Sequence, residues 1–152
     1  MPAAPGQRYA IALVEHDGGE LLFLRRAPVR VFAPGLWGFP AGHLEAGETP
    51  RACIERELAE ELGPAVRLEA GAERGPVHDP LFEGRIEVHL FHYRWRGGMI
   101  RLNEEHTDWT WAGPALVAAL DTAPGVLEDI AWLGLWPGSA VLAAHARPAP
   151  GA

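Results

Sequence analysis

The stretch PRACIERELAEEL, residues 50–62, carries three carboxylates where chemistry could use them. Glu57, Glu60 and Glu61 stand at i, i+3 and i+4, which puts them on one helix face within about 5–6 Å of one another. Ile54, Leu58 and Leu62 fall on a separate apolar stripe that can pack against a sheet. Like charges at this spacing cost a helix roughly 0.2–0.5 kcal/mol per pair, so something should compensate. A hard divalent cation does so, because Mg²⁺ takes oxygen ligands and keeps several waters for a phosphate substrate. Alone, the run also reads as a solvated helix face. Two neighbouring features favour the cation. A glycine-rich turn carrying Glu45 and Glu48 leads straight into the helix, and Arg56 sits among the carboxylates, able to pair with one and fix its geometry.

The turn itself, GHLEAGET at 42–49, has the glycine spacing of a phosphate-binding loop, but Glu48 stands where that loop needs Lys. All 13 basic residues are Arg, which excludes Walker-type phosphate lysines and Schiff-base chemistry. Phosphate, if handled, must meet Arg or a metal. A net charge of −7 argues against capture of a nucleic-acid backbone. With one cysteine, Cys53, no intrachain disulfide is possible, and that thiol is expected to be a small packed residue. No apolar run approaches the roughly 20 residues of a membrane span, and the first residues lack a signal-peptide core. A cytoplasmic protein that does not associate with membranes is expected.

The elements that position these groups are partly legible. YAIALVEHDGGELLFLRRA (9–27) reads as a hairpin around Asp17-Gly18-Gly19. RVFAPGLWGFPAGHLEAGE (30–48) should be mostly loop, with a short strand near Trp37–Phe39. The helix over 50–62 has Thr49 as N-cap, Pro50 at its first position and Gly63 just past its end, before Pro64. GRIEVHLFHYRWRGG (84–98) alternates as a strand, and MIRL (99–102) and DWTWAG (108–113) look like shorter ones. PALVAAL, VLEDIAWLGL and SAVLAAHA read as helical. One domain over 1–147 with a frayed tail at 148–152 is expected. Strands on both sides of a central helix, with more helix near the end, indicate an α/β (α+β) sandwich with a mixed sheet.

Gly42, Glu48, Arg56-Glu57-Leu58, Glu60-Glu61 and Gly63 together match the Nudix box, G-x5-E-x7-R-E-U-x-E-E-x-G-U, at every fixed position. Only the last aliphatic slot departs: it holds Pro64, and Val66 is expected to take over its packing. LLFLRRA and WGFPAG before the box and EHTDWTWAGP after it also resemble the family. The resemblance implies a Nudix-type α/β/α sandwich and an enzyme in which water attacks a phosphorus of a nucleoside diphosphate linked to X. It implies Mg²⁺, with Mn²⁺ as a substitute. It further implies Glu57 and Glu61 as metal ligands, Glu60 as a further ligand or the base, the Ala41 carbonyl as a ligand, and Arg56 as an orienting group acting through Glu48. In some relatives the base lies on a later loop, where NEEHTDW offers Glu104, Glu105 and Asp108, with Glu105 favoured. Arg26, ending the second strand, stands where the resemblance implies a phosphate contact, with a surface salt bridge as the alternative, while Phe39 and Pro40 could border the nucleotide or simply pack.

The resemblance to small MutT-like nucleoside triphosphate pyrophosphatases leaves an ADP-ribose or nucleotide-sugar pyrophosphatase as the alternative enzyme. Pro80, 16 residues past Pro64, speaks for that alternative. A non-catalytic nucleotide-binding module is the alternative of another class, though such modules usually lose box carboxylates that this chain keeps. The MutT-like reading of 8-oxoguanine relies on an Asn near the C-terminal helix. Here the only Asn is Asn103, with Glu128 or Asp129 as possible replacements. The expected partner is a small nucleotide, not a nucleic-acid duplex, and the protein is expected to be a monomer or homodimer. Most of the six tryptophans are expected in the core, and the seven histidines, lacking zinc-site spacing, as structural or surface residues.

Overall fold

A computed structural model describes residues 7–30, 32–78 and 86–143. Its strands are β1 (Arg8–Glu15), β2 (Leu21–Arg26), β3 (Trp37–Gly38), β4 (Ala41–His43), β5 (Arg67–His78), β6 (Glu87–Gly97) and β7 (His106–Ala112). Its helices are α1 (Pro50–Leu62), α2 (Pro114–Val117), α3 (Val126–Trp132) and α4 (Ala140–Ala143). The strands form one mixed sheet in the order β3-β2-β1-β6-β5, with β4 also paired to β1 and β7 to β2. β1 runs parallel to β6 along its whole length, Arg8 opposite Glu87 through Glu15 opposite Arg94. It meets β2 antiparallel across the expected turn, where Gly19 adopts φ 83°.

Side-chain alternation sorts two cores onto the two faces of the sheet. Ala10, Ala12, Val14, Leu22 and Leu24 join Cys53, Ile54, Leu58 and Leu62 of α1. Leu13, Leu21 and Phe23 join Val117 of α2 and Val126 and Ile130 of α3 on the other face. Both faces being covered explains why β2 begins LLFL with no polar residue between, since a strand buried on both sides has no solvent face to mark. The result is a mixed-sheet α/β/α sandwich. α1 forms as expected: the Thr49 hydroxyl accepts from the Ala52 amide at 3.1 Å, Pro50 opens the first turn, and Gly63 at φ 89° closes the last. Val66 packs against the α1 core while Pro64 is exposed, which is the expected exchange of roles.

Several expectations need correction. MIRL is not a strand. The positive φ of Gly97 and Gly98 (113° and 105°) turns the chain out of β6, and the Arg101 amide then donates to the Leu62 carbonyl at 2.8 Å, pinning this segment across the end of α1. The longest strand, β5, has no expected counterpart. It is an edge strand exposed along most of its length and held by β6, so it has no apolar alternation to read. β4 was hidden inside a glycine-rich loop. None of the six tryptophans is fully buried: Trp109 is 43% exposed and the others pack half-buried at the margins of the cores. Indole rings are large enough to reach the surface even when one side is packed. Pro80, the first residues of the expected strand at 84–98, the end of SAVLAAHA and the tail at 148–152 lie outside the described residues.

Candidate active site

The acidic face of α1 packs against β4, and one glycine makes this possible. A Cβ on Gly42 would lie 2.1–2.2 Å from the Glu57 carboxyl group, so any other residue there would push that side chain away. Glu57 is consequently buried (8% exposed), and Glu61, one turn on, is 1% exposed. Glu60 points outward with its side chain 51% exposed. The three carboxylates thus share the helix face predicted for them but differ sharply in environment.

Arg56 organises the first end of this patch. Its Nε and Nη2 donate to the two oxygens of Glu48 at 2.8 and 2.9 Å, and its Nη1 donates to Glu57 Oε1 at 2.8 Å. Glu45 and Glu60 each lie 3.7 Å from the same Nη1. The Arg56 fork, helped by the Glu45 amide, holds the Glu48 carboxyl down at about 2. The glutamate that spoils a lysine-type phosphate loop is therefore the anchor of the arginine that fixes Glu57. Cys53 packs beneath this network, its thiol pushed up to about 11 chiefly by burial and by Glu48, which leaves it inert.

The other end has no such partner. Burial first, then the neighbouring Glu57 and Glu105 carboxylates, push the Glu61 carboxyl well above the ordinary range, against a smaller opposing hydrogen bond from the Ala41 backbone. Its Oε2 is buried without a hydrogen-bond partner. Glu61, Glu105 and His106 bring one ligand atom each within 4.8 Å of one another. The loop before β7 delivers Glu105 because the Asn103 side chain accepts from the Glu105 amide at 3.1 Å and the Glu105 carbonyl accepts from the Ala27 amide at 2.9 Å. Glu104 and Asp108 remain exposed, and Asp108 accepts from the Thr107 hydroxyl at 2.9 Å. Of the three acids on that loop, Glu105 is the one gathered with Glu61.

Arg26 ends β2 opposite His106, with the Glu61 and Glu105 charges near enough to act on it. Burial, then Arg30, lowers its pKa, and its Nε donates to the Phe32 carbonyl at 2.6 Å. Two residues here escaped the sequence reading. Arg30 has a buried Nε with no hydrogen-bond partner, and His106 is 7% exposed with an unpartnered Nδ1. Burial, Arg26 and Arg30 lower the His106 pKa to about 4, so its ring is neutral at pH 7. The usable signal was its position directly after Glu105, which ligand-spacing rules do not capture. By contrast Phe39 (7% exposed) and the fully buried Pro40 lie within the protein, Phe39 stacked 4.8 Å from Phe23 on the sheet face opposite α1. Glu128 and Asp129 lie on α3, lining a depression with Val77, Val88 and Trp132 away from the acidic patch.

The chain is similar to known proteins. The model of the NUDIX domain matches residues 5–133. The chain is 33% identical over 114 residues to the CTP pyrophosphohydrolase of Escherichia coli (strain K12), covering 74% of this chain and 80% of that protein. It is also 33% identical over 102 residues to a MutT-like protein of Streptomyces ambofaciens, covering 67% of this chain and 60% of that one. The crystal structure of the MutT protein from Methanosarcina mazei Go1 superposes with a TM-score of 0.69 at 25% identity, over 85% of this chain and 92% of that one. These matches show that the chain belongs to the Nudix hydrolase family.

Proposed function

We propose that this Nudix hydrolase is a divalent-cation-dependent pyrophosphohydrolase whose preferred substrates are nucleoside triphosphates. The observation that carries the reading is the buried Glu61 carboxyl, crowded by Glu57 and Glu105 with one oxygen unpartnered. Buried carboxylates gathered this closely fit a hard cation, since without one they must stay protonated or repel. Glu57, Glu61 and the Ala41 carbonyl would hold it, with Glu60 and Glu105 in reach of the same patch. Bound there, Mg²⁺ or Mn²⁺ supplies polarisation of the phosphoryl oxygens and a lowered pKa for water. Water adds to a phosphorus, the bridging P–O bond breaks, and a triphosphate yields the nucleoside monophosphate and pyrophosphate. Glu105 accepts the proton of the attacking water. Arg56 keeps Glu57 in place through its Glu48 anchor, and Arg26 binds a phosphate oxygen, the only type of fixed cation this lysine-free chain can offer.

The names of the relatives favour triphosphates, with a CTP pyrophosphohydrolase and a MutT-like protein among them. The test is steady-state hydrolysis of CTP, dGTP, 8-oxo-dGTP and ADP-ribose with Mg²⁺, with products identified as pyrophosphate or as two monophosphates. With no Asn on α3 to read a base edge, kcat/KM for the triphosphates should agree within about two orders of magnitude, because stacking accepts any base. A thousandfold preference for 8-oxo-dGTP over dGTP would show a dedicated base reader. Dominant ADP-ribose cleavage would move the protein to the other pyrophosphatase class, and nucleotide binding without turnover would make it a binding module.

A further inference from the structure

Beside the carboxylates stands a group that an all-oxygen cation site does not require. His106 is 7% exposed and Glu61 1% exposed, and Glu61 Oε2 has no hydrogen-bond partner among the described residues. The ring faces the acid: His106 Nε2 lies 3.6 Å from Glu61 Oε1. That is too long for a hydrogen bond between them. It does match the separation of two ligands on one ion, since donors about 2.1 Å from a shared cation are about 3.0–4.2 Å apart for angles from 90° to 180°. Glu105 lies beside this pair, the three potential ligand atoms being within 4.8 Å of one another. β-Pairing sets the arrangement, His106 lying opposite Arg26 at the end of β2 while α1 brings Glu61 over the same sheet face.

We infer that His106 Nε2 is a nitrogen ligand, with Glu61, for one of the divalent cations this enzyme uses, beside the Glu105 base. The inference rests on the cation-dependent reading above and refines it. One imidazole in an oxygen set shifts preference away from Mg²⁺ toward first-row ions that accept nitrogen, such as Co²⁺, in line with ligand softness and the Irving–Williams order. The packing of His106 against Glu61 thereby selects the metal.

The test combines spectroscopy with affinity. Electron spin-echo envelope modulation of Mn²⁺-loaded wild-type protein should show ¹⁴N coupling from a directly bound imidazole, and His106→Gln should lose it. In calorimetric titrations Co²⁺ should bind at least about tenfold more tightly than Mg²⁺, and His106→Gln should weaken Co²⁺ about tenfold while changing Mg²⁺ less than about threefold. Bound Mn²⁺ without ¹⁴N coupling overturns the inference and leaves the cation-dependent reading standing. A protein that binds no Mn²⁺ at all overturns both. Should the variant fail to fold by circular dichroism, the wild-type spectrum still decides.

Discussion

The two ends of the acidic patch on α1 are built from the same residue type and reach opposite electrostatic outcomes. At one end Glu48 and Glu57 are answered by Arg56 at 2.8–2.9 Å, and the Glu48 carboxyl is held down at about 2. At the other, Glu61 faces Glu57 and Glu105 with no side-chain cation among the described residues hydrogen-bonded to it, and its carboxyl is driven up. A protein selected only for stability would not keep the second arrangement, since a buried, crowded acid destabilises the fold unless it stays protonated. The first end is scaffold. The second awaits a charge that the chain does not supply, and that difference separates the carboxylates that hold the site from those that use it.

The largest expected effect comes from withholding that charge. Hydrolysis of any nucleotide substrate should fall to background in excess EDTA and return with Mg²⁺ or Mn²⁺, as followed by pyrophosphate release. Full turnover in EDTA would erase the distinction between the two ends. Next in size, Glu57→Gln and Glu61→Gln should each lower kcat/KM by about two to three orders of magnitude, through loss of a ligand charge at nearly constant shape. Their stabilities should divide. Glu57→Gln leaves Arg56 Nη1 only a neutral acceptor in place of a carboxylate and should lower the metal-free Tm, whereas Glu61→Gln relieves the crowding and should raise it. Equal shifts in the two variants would show that the ends are not different in kind.

Much of the scaffold was legible because it is written locally. Thr49, Pro50 and Gly63 mark the limits of α1, and the spacing of Glu48, Arg56, Glu57 and Glu61 needs only a helix and the turn before it. The Arg56–Glu48 pair is what the resemblance to the Nudix box implied. The second end is tertiary. Glu105 and His106 reach Glu61 because β7 pairs with β2 in one register, and no local pattern announces which residue of NEEHTDW will point inward. The setting of Phe39 is tertiary in the same way: a loop motif states residue type but not which sheet face it meets. β5 was invisible because its long exposed run is organised by its neighbour β6.

Arg56→Lys sharpens the comparison from the scaffold side. A guanidinium spans both Glu48 oxygens and still reaches Glu57, whereas an ammonium offers a single point charge and cannot keep all three contacts. The expected loss is about ten- to a hundredfold in kcat/KM, because the residue acts by holding Glu57 in position. KM should change less than kcat. An unaffected Arg56→Lys enzyme would mean that Glu57 is positioned by packing against Gly42 alone.

The smallest expected effect is also the most direct measure of the contrast, and it lies in the pH dependence of the metal-free protein. An unfolded Glu61 titrates near 4.5, while the folded group titrates well above this. As pH rises past 4.5 the unfolded chain releases that proton and the folded chain keeps it. Stability falls with rising pH until the folded carboxyl also ionises. The side-chain amide introduced by Glu61→Gln has no proton to release, so the Tm advantage of that variant, measured in EDTA, should widen from pH 4.5 upward and then level off. One kcal/mol in a chain of this size corresponds to roughly 2–4 °C, within reach of calorimetry. Glu48→Gln should behave oppositely. Because folded Glu48 titrates at about 2, its stabilisation is fully present above 4.5 and is lost as pH falls through 2. That variant should melt below wild type at neutral pH, with the gap closing in acid. Curves of the same slope for the two variants would show that both ends of the patch are paired alike, and Glu61 would no longer stand apart as a carboxyl awaiting a cation.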